Sequence, residues 1–514
     1  MDFSDLDQSS DFTADRNRYA FLNTLGLESR VISSLSRNLD FIVKGRDEVF
    51  LAAIAKENDP SDILSQWNSI YDAKSKDLHA DLISFDLSNK AKYGPRSIQK
   101  PWKDRRDSCL SYFDNDKSTH VPSILFKGSG GLRPLSNDVA IKYLKNNTNS
   151  GLPDYTKKGK VKDKLLRRFE EYLDKEYPCC LFTRTQELGK TRDIWGYGMA
   201  DTLNEMRYYV PLLAYQRKLS WRSALNGPHS VDLKISDMFN KHSQSDVFVS
   251  ADFVGFDKSV NSNNQRMSFD YIKSKYQSSY HKDLDWIQNR FNTIGLITPD
   301  GIKSGPHGIP SGATLTNEVD SIVQYSYGKS LGVADDKLQI QGDDGAYDIS
   351  YPMLEKLIEL FKYCGLTLSE DKSVVSQHQI QYLQRIYIKD YMKNGFIGGV
   401  YSVYRALNRI VHQERYSDFE DYGIRGVDYY SIRTISILEN CKYHPLFKDL
   451  VLFIYSKDKY LLKYSQDSIS KFSDMLNNGS GTGGFLNNQF GDNIKGINSF
   501  ETVKIINKIR QGVS

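Results

Sequence analysis

Apolar positions recur at helical spacing through Leu35 to Ile54 and again through Ile63 to Leu87, with a break at Asp59-Pro60. Residues 1 to about 95 are therefore expected to form a helical lead-in rather than a free-standing domain. A mixed region follows to about residue 245, interrupted by Gly128 to Gly131 and Ser150 to Pro153. The pattern changes at Asp246 to Ala251, DVFVSA, whose β-branched and aromatic residues read as a buried strand. From there to about residue 390 strands, turns and helices alternate, which predicts an α+β module built on a small antiparallel sheet. Helical spacing returns from 391 to the end, broken at Asn477 to Gly496, NNGSGTGGFLNNQFGDNIKG. Its Gly and Asn content predicts a mobile loop that Phe485, Leu486 and Phe490 could anchor in a groove.

The chain has 514 residues, room for roughly three units of about 150 residues and an enclosed cavity. That excludes a disulfide mini-protein or a lone binding module. No apolar run approaches the roughly 18 residues of a membrane helix, so a soluble protein without a membrane segment is expected. Met1 to Tyr19 is acidic and Ser-rich, unlike a secretory or mitochondrial leader, and a protein that is not secreted is expected. The five cysteines lack Cys-x-x-Cys spacing, which suits free thiols in a reducing compartment and no zinc site. Net charge is only +4, so a nucleic-acid partner must be argued from local clusters. The clearest is Lys157 to Arg168, KKGKVKDKLLRR, which could neutralise backbone phosphates or equally be a solvated helix face.

Acidic residues carry the candidate chemistry. Asp252 ends the DVFVSA strand and Asp257 follows five residues later, where the chain should turn into a helix near Lys258. A strand end is a rigid mount for a ligand to a hard cation, and equally an ordinary terminus with a capping Asp. Leu338 to Ser350, LQIQGDDGAYDIS, places Asp343 and Asp344 at the tip of a hairpin, either a plain turn or half of a two-metal site completed by Asp252. Between them, Asp300-Gly301 marks another hairpin, and Leu315, Val319, Ile322 and Val323 read as a helix that starts just after Gly312. Ser311 and Gly312 would then sit at a helix N-terminus able to approach a sugar or phosphate, with Thr316 and Asp320 on one face.

The order Asp-x4-Asp, Ser-Gly-x3-Thr-x3-Asp and Gly-Asp-Asp within Asp252 to Asp344 resembles motifs A, B and C in the palm of viral RNA-dependent RNA polymerases. The resemblance implies a right hand of fingers, palm and helical thumb around an encircled active site. It divides the chain into 1–245 (extension and fingers), 246–390 (palm, with a fingers insertion around 262–300) and 391–514 (thumb and C-terminal segment). It implies that Asp252, Asp343 and Asp344 bind two Mg²⁺ ions, or Mn²⁺, which accepts the same oxygens. Asp257, Ser311, Gly312, Thr316 and Asn317 would read the ribose. A polar residue at 257 and Gly342 before the double Asp favour ribonucleotides over the pattern of reverse transcriptases. Thr148 to Pro153 is similar to the template-guiding motif G, which brings in Ser150 and Gly151 with the adjoining Lys157 and Lys158. Lys190 and Arg192 look like the triphosphate-binding cations of motif F. Lys372, in GLTLSEDK, stands where family members may use a Lys to protonate the leaving pyrophosphate, and Tyr382 to Arg385 resembles the motif E hairpin that supports the nascent strand. Gly-Ile-Pro before Ser311, and Asp320 where many relatives have Asn, look like the picobirnavirus and partitivirus branch of double-stranded RNA viruses. Two carboxylates near one ribose would repel, so the role of Asp320 stays open. The implied partners are template and product RNA, ribonucleoside triphosphates and a capsid protein, in the virion interior and host cytoplasm. From the residues alone, a two-metal nuclease or phosphatase and a non-catalytic RNA-binding, capsid-associated protein remain alternatives.

Overall fold

The computed structural model describes residues 18–114, 120–480 and 494–512. Residues 481–493 of the Gly-rich stretch, including Phe485, Leu486 and Phe490, lie outside the described residues. Helix α1 (Ser29–Lys44) repeats apolar residues every three or four positions and buries Val31, Leu35, Leu39 and Ile42. These share one core with Leu181, Trp195 and Ile297, far along the chain. Strand β1 (Phe50–Leu51) is followed by α2 (Pro60–Lys74), started by an Asp59 cap that accepts from the Ser61 amide and by a proline in the first turn. α2 turns elsewhere, with Ile63, Trp67 and Tyr71 in the core of the carboxy-terminal helices, and α3 (Ala80–Lys90) sets Leu82 against Ile386, Ile388 and Val400. The lead-in thus spans three cores.

Strands β2 (Cys179–Thr185) and β3 (Thr191–Gly196) form an antiparallel pair. Helix α4 (Met199–Gln216) is buried along most of its length, and α5 (Pro228–Lys241) leads into β4 (Asp246–Ala251), buried at every residue. The helix expected near Lys258 is present but only one turn long, Phe256–Ser259, and a second helix, α6 (Ser262–Lys273), follows. Helix α7 (His281–Thr293) and the hairpin β5 (Leu296–Thr298) with β6 (Gly301–Lys303) follow, and β5 pairs parallel with β2. The segment after Ser262 packs α6 and α7 into the same core as β4 and then adds β5 and β6 to the sheet ordered β3-β2-β5-β6.

Helix α8 (Thr316–Ser330), β7 (Leu338–Gln341), β8 (Asp344–Ser350), α9 (Tyr351–Tyr363) and β9 (Val374–Ser376) complete the centre. The sheet runs β7-β8-β4-β9 and is antiparallel throughout, as the sequence pattern predicts. β10 (Gln379–Tyr382), β11 (Arg385–Ile388) and β12 (Val400–Tyr401) make a third sheet. It runs past the expected boundary at 390, and helical structure resumes with α10 (Val403–Val411). β13 (His412–Gln413) pairs with β1, and α11 (Gly426–Glu439), α12 (Phe447–Lys457), α13 (Gln466–Ser480) and α14 (Glu501–Arg510) form the remaining bundle. All five cysteines are buried and unbridged. Among the described residues, no helix is long and apolar enough to cross a membrane.

Candidate active site

The register of β4 on β8 sets Ala251 opposite Gly345, so Asp252, one residue beyond β4, lies beside the β7–β8 turn that carries Asp343 and Asp344. Gln341 pairs with Asp344, leaving Gly342 and Asp343 as a two-residue turn with φ 66° at the glycine. The turn is fastened from one face of α8. The Gly342 amide donates to Ser321 Oγ at 2.8 Å and Gln324 Nε2 donates to the Gly342 carbonyl at 2.7 Å. A Cβ at 342 would lie 3.0 Å from Asn317 Nδ2, so glycine answers both the backbone angle and the packing. Asn317, Ser321 and Gln324 are four and three residues apart, a helical face that the spacing offered and the sequence reading left unused.

The carboxylates share one electrostatic neighbourhood. Asp344 is pushed up to about 7 by burial, then by the charges of Asp343 and Asp252. Asp343 is open to solvent, yet the surrounding walls raise its carboxyl as well, against the pull of Arg192 and Lys190. Asp257 rises to about 6 through burial and the charge of Asp343. Asp320 is fully enclosed and its Oδ1 has no hydrogen-bond partner. Burial, then the charges of Asp257 and Asp343, raise it well above its ordinary value.

The segment before α8 departs from expectation. The helix begins at Thr316, so Ser311 and Gly312 sit in turns ahead of it rather than at its N-terminus. The cause is a close approach to β3: Ser311 Oγ donates to the Asp193 carbonyl at 2.8 Å, and a Cβ at 312 would fall 1.7 Å from the Trp195 carbonyl. Thr316 Oγ1 donates to the Pro310 carbonyl at 2.7 Å, and the Asp257 carbonyl accepts the Ile309 amide at 2.6 Å. Glu205 of α4, absent from the sequence reading, caps the segment: its Oε2 accepts the amides of Thr314 and Leu315 at 2.6 and 3.1 Å. A buried acid in an otherwise core-facing helix is its only sequence signal. The buried Arg222–Glu318 pair stands behind Asn317, whose Oδ1 accepts from Gln341 Nε2 at 2.8 Å.

Cations approach from several elements. Lys190 and Arg192 lie at the start of β3, the edge strand of its sheet. Burial lowers the Lys190 amine, and Arg192 adds to that, while Asp252 and Asp343 pull it back. Lys372 Nζ is 3.2 Å from Asp252 Oδ1, on a loop whose Ser369 amide donates to the Asp252 carbonyl at 2.8 Å. The motif G candidates build their own turn: the Ser150 amide donates to the Thr156 carbonyl at 2.7 Å, and a Cβ at Gly151 would meet the Tyr197 carbonyl at 2.3 Å. Lys157 bridges to Asn149 through its backbone, and Lys158 is pushed down to about 8 by burial, then by Lys145 and Lys162. Within the basic run, Lys164 pairs with Asp154 at 2.6 Å and Arg168 with Glu171. Arg385 is spent on structure, donating to the Gly399 carbonyl and to Asn440 Oδ1, each at 3.2 Å.

With this geometry in place, comparison with known proteins is informative. A family model described as viral RNA-dependent RNA polymerase matches residues 141–455. The chain is similar to a potential RNA-dependent RNA polymerase of a human picobirnavirus (strain Human/Thailand/Hy005102/-), 28% identical over 495 residues, covering 89% of this chain and 88% of the relative. It is also similar to the crystal structure of a human picobirnavirus RNA-dependent RNA polymerase, with TM-score 0.75, 26% identity, and 92% of this chain and 96% of that one covered. An insertion-loop deletion mutant of such a polymerase shares the fold, with TM-score 0.78 at 24% identity, over 93% of this chain and 97% of that one.

Proposed function

The chain belongs to the viral RNA-dependent RNA polymerases and is an RNA-directed RNA polymerase of the double-stranded RNA virus kind; from that premise we propose how its residues divide the work. The central sheet with its flanking helices is the palm (246–390, with a fingers insertion around 262–300). Residues 1–245 supply the extension and fingers, and 391–514 the thumb and C-terminal segment, around an encircled cavity. The packing supports one refinement: α2 belongs with the thumb bundle. The nuclease and non-catalytic alternatives fall with family membership.

The reaction is attack by the 3′-hydroxyl of growing RNA on the α-phosphorus of a ribonucleoside triphosphate. One P–O bond forms, the bond to the β-phosphate oxygen breaks, and pyrophosphate leaves. The observation that carries the assignment is the convergence of Asp252, Asp343 and Asp344 at the ends of adjacent strands, where the charges of Asp343 and Asp252 add to burial in raising the Asp344 carboxyl. That donor set fits divalent cations. Among the described residues no three His, Cys, Asp or Glu side chains are grouped to hold an ion by themselves, so Mg²⁺ or Mn²⁺ here would need phosphate oxygens beside the carboxylates. When bound, two such ions supply charge stabilisation at the attacking and leaving oxygens. Lys190 and Arg192 offer fixed positive charge to the triphosphate. Lys372 supplies a proton at Nζ to the leaving pyrophosphate. Asp257, Ser311, Thr316 and Asn317 face the ribose; the two hydroxyls donate to backbone and retain lone pairs to accept from a 2′-hydroxyl. Asp320 lies behind them as a buried acid whose carboxyl burial pushes up. Ser150, Gly151, Lys157 and Lys158 flank the template, and Arg385 acts by holding its hairpin against the thumb. Template and product RNA and ribonucleotides are the substrates. We further propose a capsid partner and residence in the virion interior and host cytoplasm.

The test is labelled ribonucleotide incorporation on single-stranded RNA with Mg²⁺ and with Mn²⁺. Synthesis should stop on chelation, resume on adding back either ion, and use deoxyribonucleotides far less well. Incorporation that survives chelation contradicts the assignment.

A further inference from the structure

The stretch from Gln99 to Phe113 lies outside the residues matched by the family model, 141–455, and belongs to none of the motifs above. Trp102, Arg105, Cys109 and Tyr112 are three, four and three residues apart and all buried, so a run of short helical turns presents one face inward. Along its length this strap takes up one element of the site after another. The Lys100 amide donates to Thr191 Oγ1 at 3.0 Å, between Lys190 and Arg192 in the chain. Arg105 forms a buried ion pair with Asp193, the residue whose carbonyl accepts from Ser311.

At its far end the strap holds both sides of the region assigned to the ribose. The Tyr112 carbonyl accepts the Gly308 amide at 2.9 Å, and the rings of Tyr112 and Phe113 each lie 5.7 Å from that of Trp195, whose carbonyl crowds Gly312. On the other side, Lys258 follows Asp257 in the one-turn helix and reaches back to the strap. Its ammonium donates to the Ser108 carbonyl and, at 2.6 Å, to Ser108 Oγ, and stands 5.2 Å from the centre of the Tyr112 ring. Two of its three donors are thus taken by one residue of the strap, and an aromatic face lies beside the charge. A lysine spent in this way is a tether between two chain segments.

Asp257 and Ser311 stand on different elements, and both can meet one ribose only if those elements keep a fixed relation. We propose that Lys258 is a positioning residue for ribose selection: by tying the Asp257 turn to Ser108, on the strap that also holds Gly308 and Asp193, it fixes how Asp257 and Ser311 face each other. The inference rests on the assignment of those two residues to the ribose. A site that recognises a hydroxyl draws its selectivity from polar groups that the analogue without the hydroxyl leaves unpaired, so its selectivity depends on how tightly those groups are held. The amino-terminal extension thereby takes part in nucleotide choice without touching the nucleotide.

The test measures kcat/KM of the full-length protein for a ribonucleotide and for the matching 2′-deoxyribonucleotide, in the wild type, Lys258→Met, Lys258→Arg, Ser108→Ala, the Lys258→Met and Ser108→Ala double variant, and Asp257→Ala as a control on the ribose assignment. Each variant is checked for its unfolding transition. Lys258→Met, which keeps the stem and removes the donors, should cut the preference for the ribonucleotide about tenfold, and Lys258→Arg should recover most of it. Ser108→Ala removes one of the two acceptors and should give a smaller loss, with none added in the double variant. Ser108 is exposed, so this variant decides the matter should Lys258→Met fail to fold. An unchanged preference in Lys258→Met and Ser108→Ala, or an equal fall for both nucleotides, overturns the proposal. An unchanged preference in Asp257→Ala overturns the ribose assignment and the proposal with it, whereas a relaxed Asp257→Ala beside an unchanged Lys258→Met overturns the tether alone, which separates the two failures.

Discussion

Ser321 Oγ accepts the Gly342 amide at 2.8 Å, so the helix behind the substrate loop holds the turn that carries Asp343. Both groups are buried. Ser321→Ala would leave an unsatisfied buried N–H, costing roughly 1–3 kcal/mol, and would let the Asp343 carboxylate drift. We expect kcat to fall by about tenfold or more, since small misplacements of catalytic groups are costly, with little change in KM. Steady-state kinetics beside a denaturant titration check this, and unchanged kcat in a destabilised variant would make the bond purely structural.

Glu205 anchors the loop from the other side. Burial pushes its carboxyl up to about 8, so the neutral acid prevails at neutral pH, while Oε2 still accepts both amides. Glutamine offers the same acceptor. Glu205→Gln should keep most activity, whereas Glu205→Ala should orphan the Thr314 and Leu315 amides and raise KM for nucleotide together with a loss of stability. Equal damage from both substitutions would show that the charge, not the acceptor, matters.

These two residues also show where the sequence stopped being legible. Asp252, Asp257, Asp343 and Asp344 were visible because their chemistry repeats in a fixed order, and the central strands because burial writes itself as β-branched runs. Glu205 and Ser321 hydrogen-bond backbone, Gln324 bonds backbone and the Tyr347 hydroxyl, and which groups a side chain meets depends on tertiary approach. The late start of α8 has the same origin: apolar spacing from Leu315 gave a helix, but Ser311 and Gly312 are held in turns by β3. Likewise α2 reads as an ordinary amphipathic helix, and nothing local reveals that it packs some 340 residues away along the chain against the carboxy-terminal bundle, as the Tyr404 hydroxyl donating to Asn68 Oδ1 illustrates.

Acid should weaken the protein through two buried histidines. His307 and His412 are each lowered to about 4 from 6.5, mainly by burial. The unfolded chain therefore binds more protons between these values, so the stability they confer is complete above about pH 6.5 and is lost as pH falls towards 4. The loss is on the order of 3 kcal/mol for each. Each ring uses Nδ1 on a neighbour, the Gly308 carbonyl at 2.7 Å and Asn408 Oδ1 at 2.8 Å, a contact that asparagine can partly replace. His307→Asn with His412→Asn should flatten the unfolding free energy between pH 6.5 and 4. An unchanged acid limb would place the sensitivity elsewhere.

The most direct test of the central claim is template-directed incorporation of labelled ribonucleotide on single-stranded RNA with Mg²⁺, comparing the wild-type chain with Asp343→Ala. The account predicts product from the wild type and none above background from a variant whose unfolding transition matches it. Template-dependent product from a well-folded Asp343→Ala protein would contradict it.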